Sequence, residues 1–408
     1  MMSEAGDEVV VREGRYWRIE VGGRVRGKEG KRLVIRREGK GKVVVEGGIE
    51  IKGEAGYVSV EGFEVVGDGV RVEGKANEVR DCYIHDLPGK TGIEVRGEGH
   101  RVVGNRVERV SFGMVVWGKG HLIEGNEISR LVWGSGVNDC DYFRFFGEGH
   151  IFRRNYLHGT KEEEIGPAHV DGWQTYAVNP GDYARNILID SNILAGYCMH
   201  GVAIGGIREK RTGKYSHSRI TVCNNVFTDG DMTFFACGVE NLAIFHNTCI
   251  RFFHSMRLEI CEERRALFTV KNNIFDAFRY LEVVFSSMEL FREVVGNAVD
   301  EAVAKVEDVV IEKGMVKEEG NLWVTDSFPL MVFGKPGYLR FVNERNIVGA
   351  DGKPFTSDDG YLLRPDSPCV DAGVPVQDDA VAHDIFGTPR PKGGASDIGA
   401  YEYVHSGK

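Results

Sequence analysis

One stretch decides the fold of this chain: residues 101–126 read RVVGNRVERVSFGMVVWGKGHLIEGN. It contains two copies of one pattern, an apolar segment followed by asparagine, at Val103-Gly104-Asn105 and Ile123-Glu124-Gly125-Asn126. The pattern recurs at residues 152–155, 188–192, 222–225, 244–247 and 270–273. Successive final asparagines are 21, 29, 37, 33, 22 and 26 residues apart. Recurrence at this period indicates a solenoid whose longer repeats carry loops.

The segments within each repeat are short and rich in β-branched and aromatic residues, and helical periodicity is nearly absent. Three early segments end at glycine, at Gly97, Gly118 and Gly147, and a Gly-His pair follows each of them. An antiparallel sandwich would instead show hairpin dipeptides between its strands. The sequence therefore predicts an all-β chain folded as a right-handed parallel β-helix with capped ends.

The repeated asparagines are interpreted as structural, because stacked asparagine side chains at a turn hydrogen-bond one another and the bent backbone. His100, His121 and His150 are interpreted in the same way, as turn residues. Residues 1–300 are expected to form the β-helix with its N-terminal cap. Residues 301–408, where the repeat fades, are expected to form closing coils and a capping segment of the same domain.

Composition excludes several classes of protein. The net charge of −10 argues against non-specific nucleic-acid binding. No stretch of about 18 apolar residues is present, so no membrane span is expected. The opening Met1 to Val10 lacks the pattern of a signal peptide. The expected location is therefore cytoplasmic, or extracellular if a signal has been removed; the sequence leaves the oligomeric state open.

Eight cysteines are scattered along the chain without the spacing of a zinc site, so buried free thiols are expected. The chain has two glutamines, Gln174 and Gln377, against abundant Glu, Lys, Arg and Val. This bias is typical of proteins from thermophiles.

Both ends of the chain resemble a known group. The opening coils and the tail are similar to those of pectin-lyase-like right-handed parallel β-helix proteins. The similar segments are residues 27–36, 43–47, 57–65, 367–373, 386–391 and 397–402. This superfamily contains polysaccharide lyases, glycoside hydrolases, epimerases and binding proteins, so the resemblance implies a carbohydrate-active protein and leaves the reaction open.

Alignment of the strands by their terminal glycines predicts columns of outward-facing side chains. One predicted column contains Glu94, Val115, Arg144, Gln174, Ala203, Phe235 and Glu259. A second contains Trp117, Phe146 and Tyr176, and Asp141, Asp171 and His200 stand just before three successive strands. Acids, histidines and arginines thus converge on the middle coils, which is typical of a functional site.

The first hypothesis is a lyase that cleaves a uronate-containing glycan by β-elimination, a reaction that needs a base and neutralisation of the uronate charge. The predicted catalytic residues are Asp141, His169, Asp171, His200 and Arg257. The predicted substrate-binding residues are Trp117, Arg144, Gln174, Tyr176 and Glu259. Asp139, Asp141 and Asp171 offer the oxygen ligands that Ca²⁺ prefers, so a calcium site is expected there.

Three alternatives remain open. A C5-epimerase would share the proton-abstraction step of the lyase. An inverting glycoside hydrolase would use Asp141 or Asp139 with Asp171 as its acid and base. A glycan-binding module would use the same aromatic and charged residues without a matched acid–base pair. In each case the expected partner is a polysaccharide or oligosaccharide.

Overall fold

The computed structural model describes residues 5–22, 25–179, 181–207, 215–260, 268–285, 304–305, 316–319, 322–324, 340–343 and 345–404. The chain divides into two compact units, Met1–Gln174 and Thr175–Lys408. The predicted division near residue 300 stays a prediction, because most of residues 286–339 lie outside the described part. No helix in the described part has the length and hydropathy needed to cross a bilayer.

Unit 1 is built from three parallel sheets, to which each coil adds one strand. Sheet 1 contains Glu8–Val11, Leu33–Arg37, Val58–Glu61, Glu78–Arg80, Arg101–Val103, Leu122–Glu124 and Ile151–Arg153. Sheet 2 contains Gly14–Tyr16, Val43–Val45, Glu64–Val65, Glu127–Ser129 and Tyr156–His158. Sheet 3 contains Ile19–Val21, Ile49–Ile51, Val70–Val72, Phe143–Phe145 and Asp171–Tyr176, of which the last ends in unit 2.

Two long strands, Tyr83–Val95 and Arg106–Val116, bend so that their first halves lie in sheet 2 and their second halves in sheet 3. The remaining elements of unit 1 are the short strand Gly147–Glu148 and the helix Glu162–Ile165. Side chains alternate between the interior and the surface, because successive Cβ atoms of a strand point to opposite faces. Phe143 and Phe145 are buried, whereas Arg144 between them faces outward.

Unit 2 repeats the same coil. Its sheet 1 contains Ala184–Asp190, His217–Cys223, Val239–Phe245, Phe268–Lys271 and Val316–Glu319. The other strands of unit 2 are Ile193–Ala195, His200–Gly205, Val226–Cys237, Thr248–Ile260, Ile274–Phe285, Ala304–Lys305 and Leu322–Val324. All these pairings are parallel except that between Ile274–Phe285 and Ala304–Lys305.

The tail of the chain, from Arg340 to Val404, is irregular apart from the 3₁₀ helix Asp379–Val381. It packs onto the coils of unit 2 through hydrogen bonds. Val374 N donates to Oδ1 of Asn272 at 2.8 Å, and Ala400 N donates to Oγ1 of Thr248 at 3.0 Å. These contacts satisfy polar groups of the coils, as a capping segment must.

The repeated asparagines form a hydrogen-bonded stack inside the coils. In unit 1, Nδ2 of Asn105 donates to Oδ1 of Asn126, and Nδ2 of Asn126 donates to Oδ1 of Asn155, both at 3.0 Å. The glycines that precede two of these asparagines, Gly104 and Gly125, have φ angles of 67° and 65°, a region that favours glycine. The structural interpretation of the asparagines is therefore confirmed.

We expect the substitution Asn126→Ala to destabilise the fold. The side chain of Asn126 accepts from the backbone N–H of Asn105 and donates to the carbonyls of Val102 and Glu124. Each buried group left without a partner costs about 1–3 kcal/mol. Urea unfolding should show a loss of this order, whereas Asn138→Ala, at an exposed position, should unfold like the parent protein. Equal stability of the two variants would contradict the structural role of the stack.

The histidines of the Gly-His pairs form a second stack. The rings of His100 and His121 lie 5.0 Å apart, and those of His121 and His150 lie 4.8 Å apart. Backbone N–H groups of one coil donate to Nδ1 of the next ring, as from His100 N to His121 at 3.0 Å. Burial lowers the pKa of His121 to about 3 and that of His150 to about 4. These neutral rings are structural, as their position in the repeat predicts.

The cysteines of the described part of the chain are free thiols, and six of these seven are buried. Burial raises the pKa of Cys82 to about 12 and that of Cys140 to about 11. Thiols with such pKa values are not activated nucleophiles. The expectation of buried free thiols is confirmed for six of these residues, whereas Cys237 is half-buried.

Candidate functional site

Sheet 3 of unit 1 carries one continuous column of outward-facing residues. The register joins Glu20, Glu50, Arg71, Glu94, Val115, Arg144 and Gln174 on successive coils. The predicted column from Glu94 to Gln174 is thus confirmed. Four polar residues gather at its Gln174 end. Asp171 begins the strand of Gln174, and Asp141 stands two residues before the strand of Arg144. Asp139 and His169 stand two residues before Asp141 and Asp171.

Arg144 is held by two carboxylates. Its Nη2 contacts Oδ2 of Asp139 at 2.7 Å, and its Nε donates to Oδ2 of Asp141 at 2.9 Å. The guanidinium also lies over the ring of Phe112, with Cζ 4.7 Å from the ring centre. Asp141 has no exposed surface, and the Arg144 side chain is 13% exposed. The arginine is therefore fixed in orientation while one edge still reaches solvent.

Asp171, on the next coil, contacts Gln174, His169 and Asp141. Its Oδ2 accepts from Nε2 of Gln174 at 2.7 Å and lies 3.3 Å from Nδ1 of His169. Its backbone N–H donates to Oδ1 of Asp141 at 3.2 Å, which links the two coils. Asp171 is fully buried, whereas the His169 side chain is 31% exposed. A buried carboxylate thus orients an accessible imidazole.

The main chain fixes the position of His169. Asp139 and His169 form a parallel bridge between coils, in which His169 N donates to Asn138 O at 3.1 Å and Cys140 N donates to His169 O at 2.7 Å. Because the backbone is held on both sides, the imidazole can move only by side-chain rotation. Such preorganisation is what acid–base chemistry requires.

Burial and neighbouring charges shift the pKa values of two groups in this cluster, Asp141 and His169. Burial raises the pKa of Asp141 to about 8; Asp171 and Asp139 act in the same direction, and Arg144 opposes them. The contact with Asp171 raises the pKa of His169, with smaller contributions in the same direction from Asp141 and Asp139 and an opposing one from burial. The groups that reach solvent are His169, Arg144 and Gln174, so these three residues can meet a ligand.

Gln174 has an unused acceptor. Its Nε2 is bound to Asp171, but its Oε1 is buried and has no hydrogen-bond partner among the described residues. Buried acceptors without a partner are rare in folded proteins and are often satisfied by a ligand or water. Oε1 of Gln174 can therefore accept a hydrogen bond from a ligand or from a water molecule.

The expected calcium site does not fit this arrangement. Ca²⁺ takes about six to eight oxygen ligands. Asp139 and Asp141 instead surround the guanidinium of Arg144, whose fixed positive charge would repel a cation placed between them. In this structure Asp139 and Asp141 hold an arginine, and Asp171 contacts a histidine and a glutamine. Calcium binding at these residues stays a prediction that this arrangement does not favour.

The predicted aromatic platforms are largely covered. The indole of Trp117 stacks on Phe146 at 3.9 Å and lies under Arg96, whose Cζ is 5.5 Å from the ring centre. Because neighbours on both adjacent coils cover the ring, Trp117 presents its edge rather than a face. Trp173 is fully buried and stacks on Phe143 at 5.4 Å, so it belongs to the core.

The remaining predicted site residues lie in unit 2. Tyr176 is half-buried. His200 begins a strand, and its ring lies 5.5 Å from that of Phe235. Arg257 is half-buried and pairs in register with Phe235, whereas Glu259 pairs with Cys237.

The predicted column placed Glu259 beside Phe235, so this register was wrong by two residues. The reason is that Thr248–Ile260 has no terminal glycine from which its register could be counted. The side chain of Glu259 lies outside the described residues.

Sequence reasoning missed two features of the site. One is Phe112, which lies under Arg144 and belongs to the strand Arg106–Val116, one coil before Asp141. The extension of the outward column to Glu20, Glu50 and Arg71 was also missed, although the alternation of Ile49-Glu50-Ile51 and Val70-Arg71-Val72 is a signal for it.

Comparison with known proteins shows the fold. No protein-family model matches the chain, and no curated protein matches it. Among solved structures, XylC in complex with xylose has a TM-score of 0.53 at 12% identity, covering 99% of this chain and 94% of that one. The PL6 family polysaccharide lyase Pedsa3628 from Pseudopedobacter saltans has a TM-score of 0.51 at 14% identity, covering 88% and 95%.

A tailspike protein double mutant of E. coli bacteriophage HK620 has a TM-score of 0.51 at 12% identity, covering 69% of this chain and 57% of that one. Identities this low show the fold alone. The chain is therefore a right-handed parallel β-helix, as the sequence repeat predicts.

Proposed function

We propose that this protein is an enzyme, a polysaccharide lyase that cleaves a uronate-containing glycan by β-elimination. One observation carries the proposal: the buried carboxylate of Asp171 lies 3.3 Å from Nδ1 of His169, whose ring is partly exposed beside Arg144 and Gln174. The fold, shared with a PL6 family polysaccharide lyase, supports the reaction class but does not identify the sugar.

His169 is the proposed base. Nδ1 of His169 lies 3.3 Å from the carboxylate of Asp171, so proton transfer is assigned to Nε2, in the manner of histidines oriented by a carboxylate. Nε2 takes the proton from C5 of the uronate, the C5–H electron pair becomes the C4=C5 double bond, and the C4–O bond breaks. The leaving oxygen then receives a proton, which the protonated His169 can return.

Arg144 and Gln174 are the proposed substrate-binding pair. They are neighbours in the outward column, one coil apart. The exposed edge of the guanidinium can bind the uronate carboxylate, which stabilises negative charge as C5 loses its proton. Oε1 of Gln174, which lacks a donor among the described residues, can accept from a sugar hydroxyl.

An inverting hydrolase fits the geometry less well. Such enzymes separate their two carboxyl groups by about 6.5–9.5 Å to admit a water molecule. Asp141 and Asp171 are both fully buried, and the backbone of Asp171 donates directly to Oδ1 of Asp141. Neither carboxyl group is placed to receive a sugar and a water between them.

Incubation with a panel of polyuronates and neutral glycans tests the reaction class. We expect the ultraviolet absorbance of a new C4=C5 bond with at least one polyuronate and with no neutral glycan, and EDTA should leave the rate unchanged. New reducing ends without unsaturation would replace the proposal with a hydrolase. Epimerised sugar without cleavage would indicate an epimerase, and binding without any product would indicate a glycan-binding module.

A further inference from the structure

A cleft opens on sheet 3 of unit 1, several coils before the candidate site. Its volume is about 550 Å³, and it lies over the strands Ile49–Ile51 and Val70–Val72. Glu50, Arg71 and Glu94 on its floor belong to the same outward column as Arg144 and Gln174. The cleft and the candidate site are therefore two places along one face.

Three basic and three acidic residues line this cleft, and in two of their three ion pairs the basic member is the more exposed. Ion pairs join Arg18 to Glu50 at 2.8 Å and Arg71 to Glu94 at 3.3 Å. The basic members of these pairs are 41% and 53% exposed, whereas the acidic members are 21% and 20% exposed. Lys90 is half-exposed, with Asp68 3.8 Å away at the rim. A ligand that enters the cleft would meet guanidinium and ammonium groups before most of the carboxylates.

An open aromatic face borders the cleft. Trp17 is 75% exposed and directly precedes Arg18, which lines the cleft. The indole packs on Gly47, another residue that lines the cleft. A Cβ atom added at Gly47 would lie only 3.1 Å from Cε2 of Trp17 and 2.6 Å from the carbonyl oxygen of Trp17, so the ring lies directly against the glycine backbone. One face of the ring is thus supported by backbone, and most of the side chain is open to solvent. This is the arrangement that Trp117 lacks.

We propose that Trp17 and this cleft form a distal binding site for an acidic glycan. An exposed, supported indole stacks on the apolar face of a sugar ring, while Arg71, Lys90 and Arg18 bind carboxylates and hydroxyls. The identification of the ligand as the substrate chain rests on the proposed lyase function. Glu20, three residues after Trp17 on the same coil, is five coil steps from Arg144, about 24 Å at the spacing of paired strands.

A chain that fills both places must contain several sugar residues, so the site would favour long substrates. Binding energy from the distal site would help to hold the polymer without contributing to the chemistry. Its loss should therefore raise KM for polymers and leave kcat unchanged. Short oligosaccharides, which cannot reach Trp17 from Arg144, should be cleaved as before.

The test combines Trp17→Ala with a control at the adjacent aromatic residue, Tyr16→Ala, which does not line the cleft. We expect Trp17→Ala to weaken calorimetric binding of a polyuronate dodecasaccharide by up to about ten-fold, the equivalent of one aromatic contact. A uronate trisaccharide supplied as cleavage substrate should show unchanged kcat and KM. Tyr16→Ala should match the parent protein in both assays.

Binding is measured in a His169→Ala background, so its result does not depend on catalysis. If no polyuronate is cleaved but Trp17→Ala still weakens dodecasaccharide binding, the distal site stands and the lyase function fails. If polyuronate is cleaved and Trp17→Ala leaves both binding and KM unchanged, the distal site is wrong and the lyase function stands. A change of light-scattering mass in Trp17→Ala without loss of binding would identify the patch as a contact between copies and overturn the proposal.

Discussion

Replacing His169 by alanine is expected to lower kcat on the cleaved polyuronate by about 10²–10⁴-fold, the range typical of general acid–base catalysis. The loss should appear in kcat and not in binding of the glycan, because His169 is assigned to proton transfer rather than to holding the chain. His158→Ala, at another partly exposed histidine of unit 1 that pairs with Glu127, is the matched control and should retain activity. Full activity of His169→Ala would remove the proposed base.

The pH profile tests the link between His169 and Asp171. The base must be neutral to accept a proton, and the contact with Asp171 raises the pKa of His169. The rising limb of kcat/KM should therefore lie above the ordinary histidine value of about 6.5. Asp171→Asn removes the negative charge, lowers the pKa of His169 and should move this limb to lower pH, while misorientation of the ring lowers the maximum rate.

The control for this shift is Asp81→Asn, an exposed aspartate of unit 1 that pairs with Arg80. Its profile should superimpose on that of the parent protein. A rising limb that stays in place in Asp171→Asn would show that His169 does not set the pH dependence. The carboxylate of Asp139 remains in this variant, so a partial shift is the expected result rather than a full return to the value of a free histidine.

The largest effect on stability is expected from Arg390→Met in the tail of unit 2. Nη1 of Arg390 donates to Oε2 of Glu402 at 2.7 Å, and the two side chains are 2% and 1% exposed. Glu402 also accepts from the backbone N–H groups of Lys392 and Asp397 and thereby ties the tail together. Removing the arginine leaves a buried carboxylate uncompensated, which costs about 3–5 kcal/mol.

Urea unfolding of Arg390→Met measures this cost, and Arg340→Met provides the comparison. Arg340 pairs with Asp366, and both side chains are at least half exposed, so its loss should cost no more than about 1 kcal/mol. The double variant Arg390→Met/Glu402→Gln should recover part of the lost stability, because no charge is then buried alone. Similar midpoints for the two arginine variants would show that the tail does not depend on this ion pair.

Local sequence was sufficient to predict the coil. In the Gly-Asn pairs at 104–105 and 125–126, the glycine adopts a positive φ angle and the asparagine side chain joins the hydrogen-bonded stack. Both features depend on only a few neighbouring residues in the sequence. Where strands end in glycine, as at Gly97, Gly118 and Gly147, the register between coils also follows from the sequence. The outward column from Glu94 to Gln174 could therefore be predicted.

Longer-range features could not be predicted in this way. In unit 2 the strand Thr248–Ile260 lacks a terminal glycine, and the register of Arg257 was fixed only by hydrogen bonds to the preceding coil. The sequence showed that Asp139, Asp141 and Asp171 are neighbours but not that Arg144 lies between the first two, an arrangement that does not favour the expected calcium site.

What the sequence by itself determined is the repeating coil, its inward and outward faces and the gathering of polar residues at residues 139–174, because these depend on local turns and on the period-two geometry of strands. Only the tertiary structure decided that Trp117 is covered while Trp17 is open, and that Asp171 is buried while His169 is accessible. Exposure depends on which side chains from other coils cover a residue, and coils far apart in the sequence meet only once the chain has stacked.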